Sequence, residues 1–300
     1  MNDAGDAPQS DPLREVAQAI LAHPRFTPAV LVYVDEITKW RRGLGRFAWA
    51  ATSYVGTHIV GFVLLLHYAN TTGEPEGGAT FTRLLAQCQR RNLCGAGALR
   101  TVLTLATVAG YLKSSRGADK RVQIFAPTEK LLAKSCDLYR CPMAALDQLV
   151  DGAAYADQVR ADAGFIPRMI TSAGQQYIEH DILVADNFPH LLELMYMTGG
   201  CLVVLALVEA ELRGHPCPST RTVGQQCGVS ASQVREILRR ASAHGLVALS
   251  ADGQVASAAA LTSMYRQFVA RELALYAKYT LGLEPHFVVA SSGVRLKAAE

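Results

Sequence analysis

VGQQCGVSASQVREILRRASAHGLV, at residues 223–247, is the clearest structural pattern in this chain. The spacing of its apolar residues predicts a short helix, a turn centred on Gly228, a second helix and a stop at Gly245. Two helices joined in this way form a helix-turn-helix, whose second helix fits the major groove of DNA. The stretch therefore predicts a DNA-reading unit.

A weaker copy of the same pattern lies upstream, where residues 93–110 read LCGAGALRTVLTLATVAG. When the closing glycines of the two stretches are aligned, Leu99-Arg100 falls on Val234-Arg235. The apolar positions that follow coincide as well. This correspondence predicts that the chain carries a duplicated DNA-reading unit.

The charged residues are unevenly distributed, although the formal net charge is only +3. Residues 80–135 hold ten cations and two acids, and residues 215–271 hold six cations and two acids. Between them, residues 151–200 hold two cations and seven acids. The two basic blocks coincide with the two repeats, as contact with phosphates requires.

Short strands are predicted after each helix pair. Tyr111–Lys113 and Val122–Phe125 flank a basic tip, SSRGADK, and Leu246–Ser250 and Gln254–Ala256 flank the hairpin signal Asp252-Gly253. The predicted fold is therefore mainly α. It has tandem winged helix-turn-helix domains, small β-hairpin wings, and long helices for packing or dimerisation.

Several further residues mark the ends of predicted elements. Asn92 is expected to take the left-handed conformation that ends a helix, and Thr128 to cap the helix after the first wing. Pro167 and Pro189 are expected to break the helical spacer. The predicted parts are an N-terminal tail with a short helix (1–26), a first winged-helix domain (27–150), a helical acidic spacer (151–198), a second winged-helix domain (199–285) and a C-terminal tail (286–300).

An apolar stretch from Phe47 to Ala69 is long enough to raise the question of a membrane span. It contains His58 and His67 together with several hydroxyl side chains. These polar residues favour a buried helix in a domain or dimer core, so no membrane contact is predicted.

The run DKRVQIFAPTEKL at 119–131, set in this order of helices and wing, resembles the winged-helix domain of the MarR-type (multiple-antibiotic-resistance) regulators. The matching residues are Asp119, Lys120, Arg121, Thr128, Glu129 and Lys130. The resemblance covers residues 48–137, and residues 200–280 resemble winged helices more generally. It implies binding to double-stranded DNA as a homodimer, and it allows a small-molecule or redox effector, although no residue pattern identifies a pocket. Two such domains in one chain instead suggest an intrachain pseudo-dimer, or a dimer with four DNA-reading domains.

The predicted DNA-binding residues lie on the two helix pairs and on the first wing. They are Arg83, Arg90, Arg91, Arg100, Thr101, Thr104, Arg116, Lys120, Arg121, Ser230, Ser232, Gln233, Arg235, Arg239 and Arg240. Glutamine can pair with adenine and arginine with guanine, whereas the first unit exposes mainly glycine, alanine and threonine. Base specificity is therefore assigned to the second unit. The first unit is either an electrostatic anchor or a dimerisation or protein-docking unit.

No catalytic, metal-binding or cofactor-binding residues are predicted, because no phosphate loop, catalytic triad or HExxH motif occurs. Seven cysteines without zinc-site spacing are expected to be small buried hydrophobes, with a thiol redox switch as the alternative. Together with the acidic, polar N-terminus, they favour the cytoplasm, in association with the nucleoid. The expected function is sequence-specific transcription regulation without enzymatic activity. A plasmid-type replication initiator and a tandem winged-helix protein-docking module are the alternatives.

Overall fold

The computed structural model describes residues 11–43, 54–69, 78–117, 119–179, 184–283 and 285, and in this part the chain is mainly helical. Its helices are α1 (Arg14–Ala22), α2 (Phe26–Arg42), α3 (Tyr54–Ala69), α4 (Phe81–Arg90), α5 (Ala96–Val108), α6 (Glu129–Asp147), α7 (Tyr155–Ala161), α8 (Phe165–Glu179), α9 (Pro189–Tyr196), α10 (Gly200–Leu212), α11 (Thr220–Cys227), α12 (Ala231–Ala243) and α13 (Ala259–Tyr279), with a 3₁₀ turn at Val184–Asn187. The strands are β1 (Ala79–Thr80), β2 (Leu112–Arg116), β3 (Gln123–Pro127), β4 (Ala248–Leu249) and β5 (Val255–Ser257).

Helix α13 is the centre of the packing. It contacts α1, α6, α8 and α10, and buried residues such as Leu261, Val269 and Leu273 occur along its whole length. Helix α1, predicted as part of the N-terminal segment, packs along α13, and Arg271 binds the Asp11 carboxylate with an Nη2–Oδ1 distance of 3.0 Å. The buried side chains of the described residues form one continuous core.

The first helix pair, α4 and α5, is attached to a three-stranded antiparallel sheet of order β1-β3-β2. Thr80 begins α4 because its Oγ1 accepts a hydrogen bond from the Arg83 backbone N–H at 3.3 Å. Asn92 has a φ of 54° and Thr128 caps α6 through the Leu131 N–H, which confirms both predictions. Leu99 is fully buried, so α5 is fixed to the core along one side.

The second helix pair, α11 and α12, turns at Gly228, which has a φ of 67°. Val234, Ile237 and Leu238 are buried, as their spacing predicts. Strands β4 and β5 form a two-stranded antiparallel hairpin after α12, before the chain enters α13.

The prediction of a break at Pro167 is wrong, because α8 runs from Phe165 through that residue. Proline is tolerated there because the first N–H groups of a helix have no acceptor within the helix. Pro189 does begin a new helix, α9.

Residues 54–69 of the predicted apolar helix form α3, and residues 47–53 lie outside the described part of the chain. No single described helix combines the length and the hydropathy that crossing a membrane requires. Helices α9 and α10 meet that test only as a pair, and the chain bends by 120° between them.

The bend between α9 and α10 requires glycine at position 200. A Cβ atom there would lie 1.8 Å from the Leu194 carbonyl oxygen, so Gly200→Ala must displace backbone. We expect the free energy of unfolding in urea to fall by more than about 2 kcal/mol. As a control, a Cβ at Gly97 in α5 meets nothing within 4 Å, and Gly97→Ala should be neutral or stabilise by about 0.5–1 kcal/mol. Similar unfolding curves for both variants would contradict the close approach.

Candidate nucleic-acid interface

The outer face of α12 carries three exposed arginines, and two of them are paired within the helix. Arg239 Nη2 lies 2.7 Å from Glu236 Oε1, and Arg240 Nε lies 3.0 Å from the same oxygen. These guanidinium groups lower the pKa of Glu236 to about 2, so its carboxylate is ionised at neutral pH. Arg235 is exposed and forms no ion pair with any residue that the structure describes. It is therefore the arginine of this face that is most available to a ligand.

The polar residues predicted at the start of α12 form its N-terminal cap. Ser230 Oγ accepts the Gln233 backbone N–H at 3.2 Å, and Gln233 Oε1 accepts the Ser230 N–H at 3.0 Å. Ser232 Oγ lies 2.8 Å from Ser230 Oγ. Because a bidentate pair with adenine uses both the oxygen and the nitrogen of a glutamine amide, Gln233 would have to leave the cap to make one.

The C-terminal half of the outer face of α5 carries two exposed apolar side chains, which were not predicted from the sequence. Val108 is 77% exposed and Leu105 is 36% exposed. The Thr101 hydroxyl donates to the Gly97 carbonyl oxygen at 3.1 Å, and Thr104 is exposed. The Arg100 guanidinium lies 5.4 Å from the centre of the Phe81 ring. The signal in the sequence was the spacing of Leu105 and Val108, three residues apart on one side of the helix.

The first hairpin exposes its cations near its tip. Arg116 Nη1 donates to the Lys120 carbonyl oxygen at 2.8 Å, and the Asp119 carboxylate accepts the Arg121 backbone N–H at 2.8 Å. Asp119 is therefore held within the turn, while the side chains of Arg116, Lys120 and Arg121 remain exposed. This tip can offer positive charge to a polyanion.

The remaining predicted residues of the first unit lie on α4. Arg83 is exposed, and its Nη1 donates to the Gly78 carbonyl oxygen at 3.1 Å. Arg90 is exposed and Arg91 is partly exposed at the end of the helix. The predicted residues thus form two groups, one on α4, α5 and the β2–β3 hairpin, and the other on α12.

The acidic spacer binds directly to α12. Glu193 on α9 reaches Arg240, with an Oε1–Nη1 distance of 2.6 Å, and its Oε2 lies 2.9 Å from His244 Nε2. Both partners lower the pKa of Glu193, Arg240 more strongly. This contact could not be predicted from the sequence, because its members are about fifty residues apart in the chain.

A cavity of about 230 Å³ lies between α2, α3, α6, α8, α9, α10 and α13. Most of its wall is apolar, and one acid, Glu272 of α13, faces it. Burial raises the pKa of Glu272 to about 7, while a hydrogen bond from the Tyr33 hydroxyl (2.7 Å) and the charge of Arg41 oppose the shift. His58 also lines the wall. The pocket could not be predicted from the sequence because seven separate helices supply these residues.

All seven cysteines lie in the described part of the chain, and each is a free thiol. Burial raises the pKa of Cys88 and of Cys141 to about 12, and that of Cys227 to about 11. These three thiols are therefore protonated at neutral pH and poorly nucleophilic. Cys88, Cys141 and Cys201 are buried, as expected for small hydrophobic residues, whereas the other four cysteines are partly exposed.

No family model matches the chain, and neither a curated protein nor a solved structure matches it with significance.

Glu272→Gln tests the cost of burying this carboxyl. Because the pKa is raised from 4.5 to about 7 on folding, ionisation destabilises the folded protein, and the stability falls as pH rises through this interval. Glu272→Gln removes the charge. We expect it to raise the free energy of unfolding by on the order of 2–3 kcal/mol at pH 8 and by little at pH 4.5.

The control for this experiment is Glu15→Gln, since Glu15 is exposed on α1. It should change the stability little at either pH. A Glu272→Gln effect of equal size at pH 4.5 and pH 8 would contradict the desolvation of this carboxyl.

Proposed function

We propose that this chain is a sequence-specific transcription regulator that binds double-stranded DNA through two winged helices. The supporting observation is that the same order of elements occurs twice. Helices α3, α4 and α5 precede the β2–β3 hairpin, and helices α10, α11 and α12 precede the β4–β5 hairpin. In both units the second helix of the pair has one buried and one exposed side.

We also propose that the first unit is related to the MarR-type regulators. The basis is the sequence of its wing and of the start of the following helix, at 119–131. The β1-β3-β2 sheet supports it, because a short strand before the helix pair joins the hairpin. The second unit lacks a matching first strand among the described residues, but the Gln254 side chain of its hairpin accepts the Thr220 N–H at 3.4 Å.

The two units have different roles in this proposal. Arg235 contacts DNA directly, and Arg239 and Arg240 exchange Glu236 for phosphate or base acceptors on binding. The hairpin cations Arg116, Lys120 and Arg121 anchor the first unit to phosphates. These contacts make the DNA affinity depend on salt concentration. Small side chains on α5 allow close approach to a groove but distinguish bases poorly.

The exposed Leu105 and Val108 favour a second candidate role for the first unit, as a protein-docking or dimerisation surface. Apolar side chains on an unpartnered helix are typical of interaction sites. A homodimer and an intrachain pseudo-dimer both remain within the proposal. A plasmid-type replication initiator would have the same two units, but it would bind repeated origin sequences rather than promoter sites.

Two double variants test DNA binding, with genome-wide mapping to locate the target and titrations on the target duplex to measure affinity. Arg235→Ala with Arg239→Ala should weaken the binding free energy for DNA by about 1–3 kcal/mol and relax the base preference at one position of the target. Lys120→Ala with Arg121→Ala should weaken all sequences equally and lower the dependence of affinity on salt.

The matched control is Arg160→Ala with Arg168→Ala, which removes two exposed cations from the acidic spacer. This variant should bind as the unmodified chain does. If neither test variant weakens binding by more than a few-fold at moderate salt, the regulator proposal fails.

The cavity beside Glu272 is proposed as the site of a small-molecule effector. A cavity of about 150 Å³ is sufficient for benzene, so about 230 Å³ accommodates one or two aromatic rings. A carboxyl group in an apolar wall would orient a ligand that carries a hydrogen-bond donor.

Gly61→Leu tests the effector site. Gly61 lines the cavity, and a Cβ there meets nothing within 4 Å, so the leucine side chain should occupy the space without displacing the backbone. Indole, which has an N–H donor, should raise the melting temperature of the unmodified chain but not of this variant. An equal rise in both proteins would place indole elsewhere.

A further inference from the structure

Two histidines and a glutamate meet where α9 packs against the end of α12. His190 and Glu193 are three residues apart on α9 and therefore share one face of that helix. His244 is the residue that ends α12. One donor atom from each of the three side chains lies within 4.8 Å of the others.

The two imidazole rings are stacked, with centroids 4.0 Å apart and planes inclined by 22°. The stacking holds the two rings side by side where α9 meets the end of α12. A histidine side chain is a common metal ligand in proteins.

We propose that His190, Glu193 and His244 form a zinc-binding site that links the spacer helix α9 to the end of α12. Two imidazoles and one carboxylate are a set that zinc uses with a fourth, open position. Donors on a tetrahedral zinc ion are about 3.4 Å apart, from bond lengths of about 2.0–2.2 Å.

The adjustment needed to close this site is small. Glu193 Oε2 and His244 Nε2 are already 2.9 Å apart, and the widest separation among the donors is under 4.8 Å. His190 is exposed, while Glu193 and His244 are partly exposed. Their side chains can therefore rotate by the required ångström or so without disturbing the core.

The positive charge of Arg240 opposes zinc binding, but its guanidinium group contacts only the other carboxylate oxygen of Glu193. Its Nη1 binds Glu193 Oε1 at 2.6 Å, and the other oxygen, Oε2, faces His244. A carboxylate that binds a metal is commonly oriented by such an outer partner. Arg240 would therefore hold Glu193 in place while Oε2 binds the ion.

The consequence of zinc binding rests on the proposed function. An ion shared by α9 and α12 would fix the orientation of the helix that carries Arg235. Zinc binding itself is measured without DNA, so failure of the regulator proposal and failure of the zinc site are separate results.

The test is calorimetric titration of the metal-stripped full chain with zinc chloride. The unmodified chain should show a saturable site, and His190→Ala and His244→Ala should each weaken it by more than about 100-fold. That exceeds the 10–100-fold that loss of an outer partner costs. Zinc should also raise the melting temperature of the unmodified chain, because the ion binds the folded state.

Two controls identify which side chains bind the ion. His215 is exposed and outside the cluster, so His215→Ala should bind zinc as the unmodified chain does. Cys94→Ser tests whether the Cys88 and Cys94 thiols, which lie next to each other, bind the zinc instead. This variant should also leave the zinc site intact. Because His190 is exposed, His190→Ala should fold normally, as its melting curve in chelator will show.

Two outcomes overturn the proposal. One is the absence of saturable zinc binding, which would make the cluster an ion-pair network only. The other is zinc binding of equal stoichiometry and affinity in His190→Ala and His244→Ala, which would place the ion on other residues.

Discussion

The burial of α13 is the constraint on which the rest of the structure depends. This helix contacts α1, α6, α8 and α10, so helices on both sides of the acidic spacer pack against the same element. A helix surrounded in this way cannot be removed without exposing the shared core. The two helix pairs, α4–α5 and α11–α12, are therefore attached to one common body. Glu272, within this buried helix, places a carboxyl group of raised pKa inside that body.

Local signals predicted the helix pairs well, because capping and turn residues act over a few positions. The cap at Thr128, the left-handed Asn92 and the buried face at Val234 all required only neighbouring sequence. The cavity and the cluster around Glu193 could not be predicted, since their members meet only through tertiary packing. Pro167 was misread because proline disfavours a helix interior but is accepted in the first turn. The spacing alone did not show where that turn begins.

Several polar side chains on the proposed DNA-contacting face of α12 already have hydrogen-bond partners within the protein. Glu236 holds Arg239 and Arg240, Glu193 holds Arg240 a second time, and Gln233 serves as a cap. Each of these contacts must be exchanged when a polyanion binds, so the favourable contacts with DNA are reduced by those that are lost. The same contacts keep the arginine side chains ordered in the absence of a partner, which limits the entropy that binding costs.

The difference between the outer faces of α5 and α12 has a consequence for the orientation of the chain on a DNA duplex. The face of α5 exposes one arginine, Arg100, beside Leu105 and Val108, whereas the face of α12 exposes three arginines. A symmetric dimer presents two identical helices, so its target reads the same from either end. A single chain with two unlike helices in fixed order has no such equivalence. A duplex bound by both helices would therefore have two distinguishable ends, and the chain would bind it in one orientation.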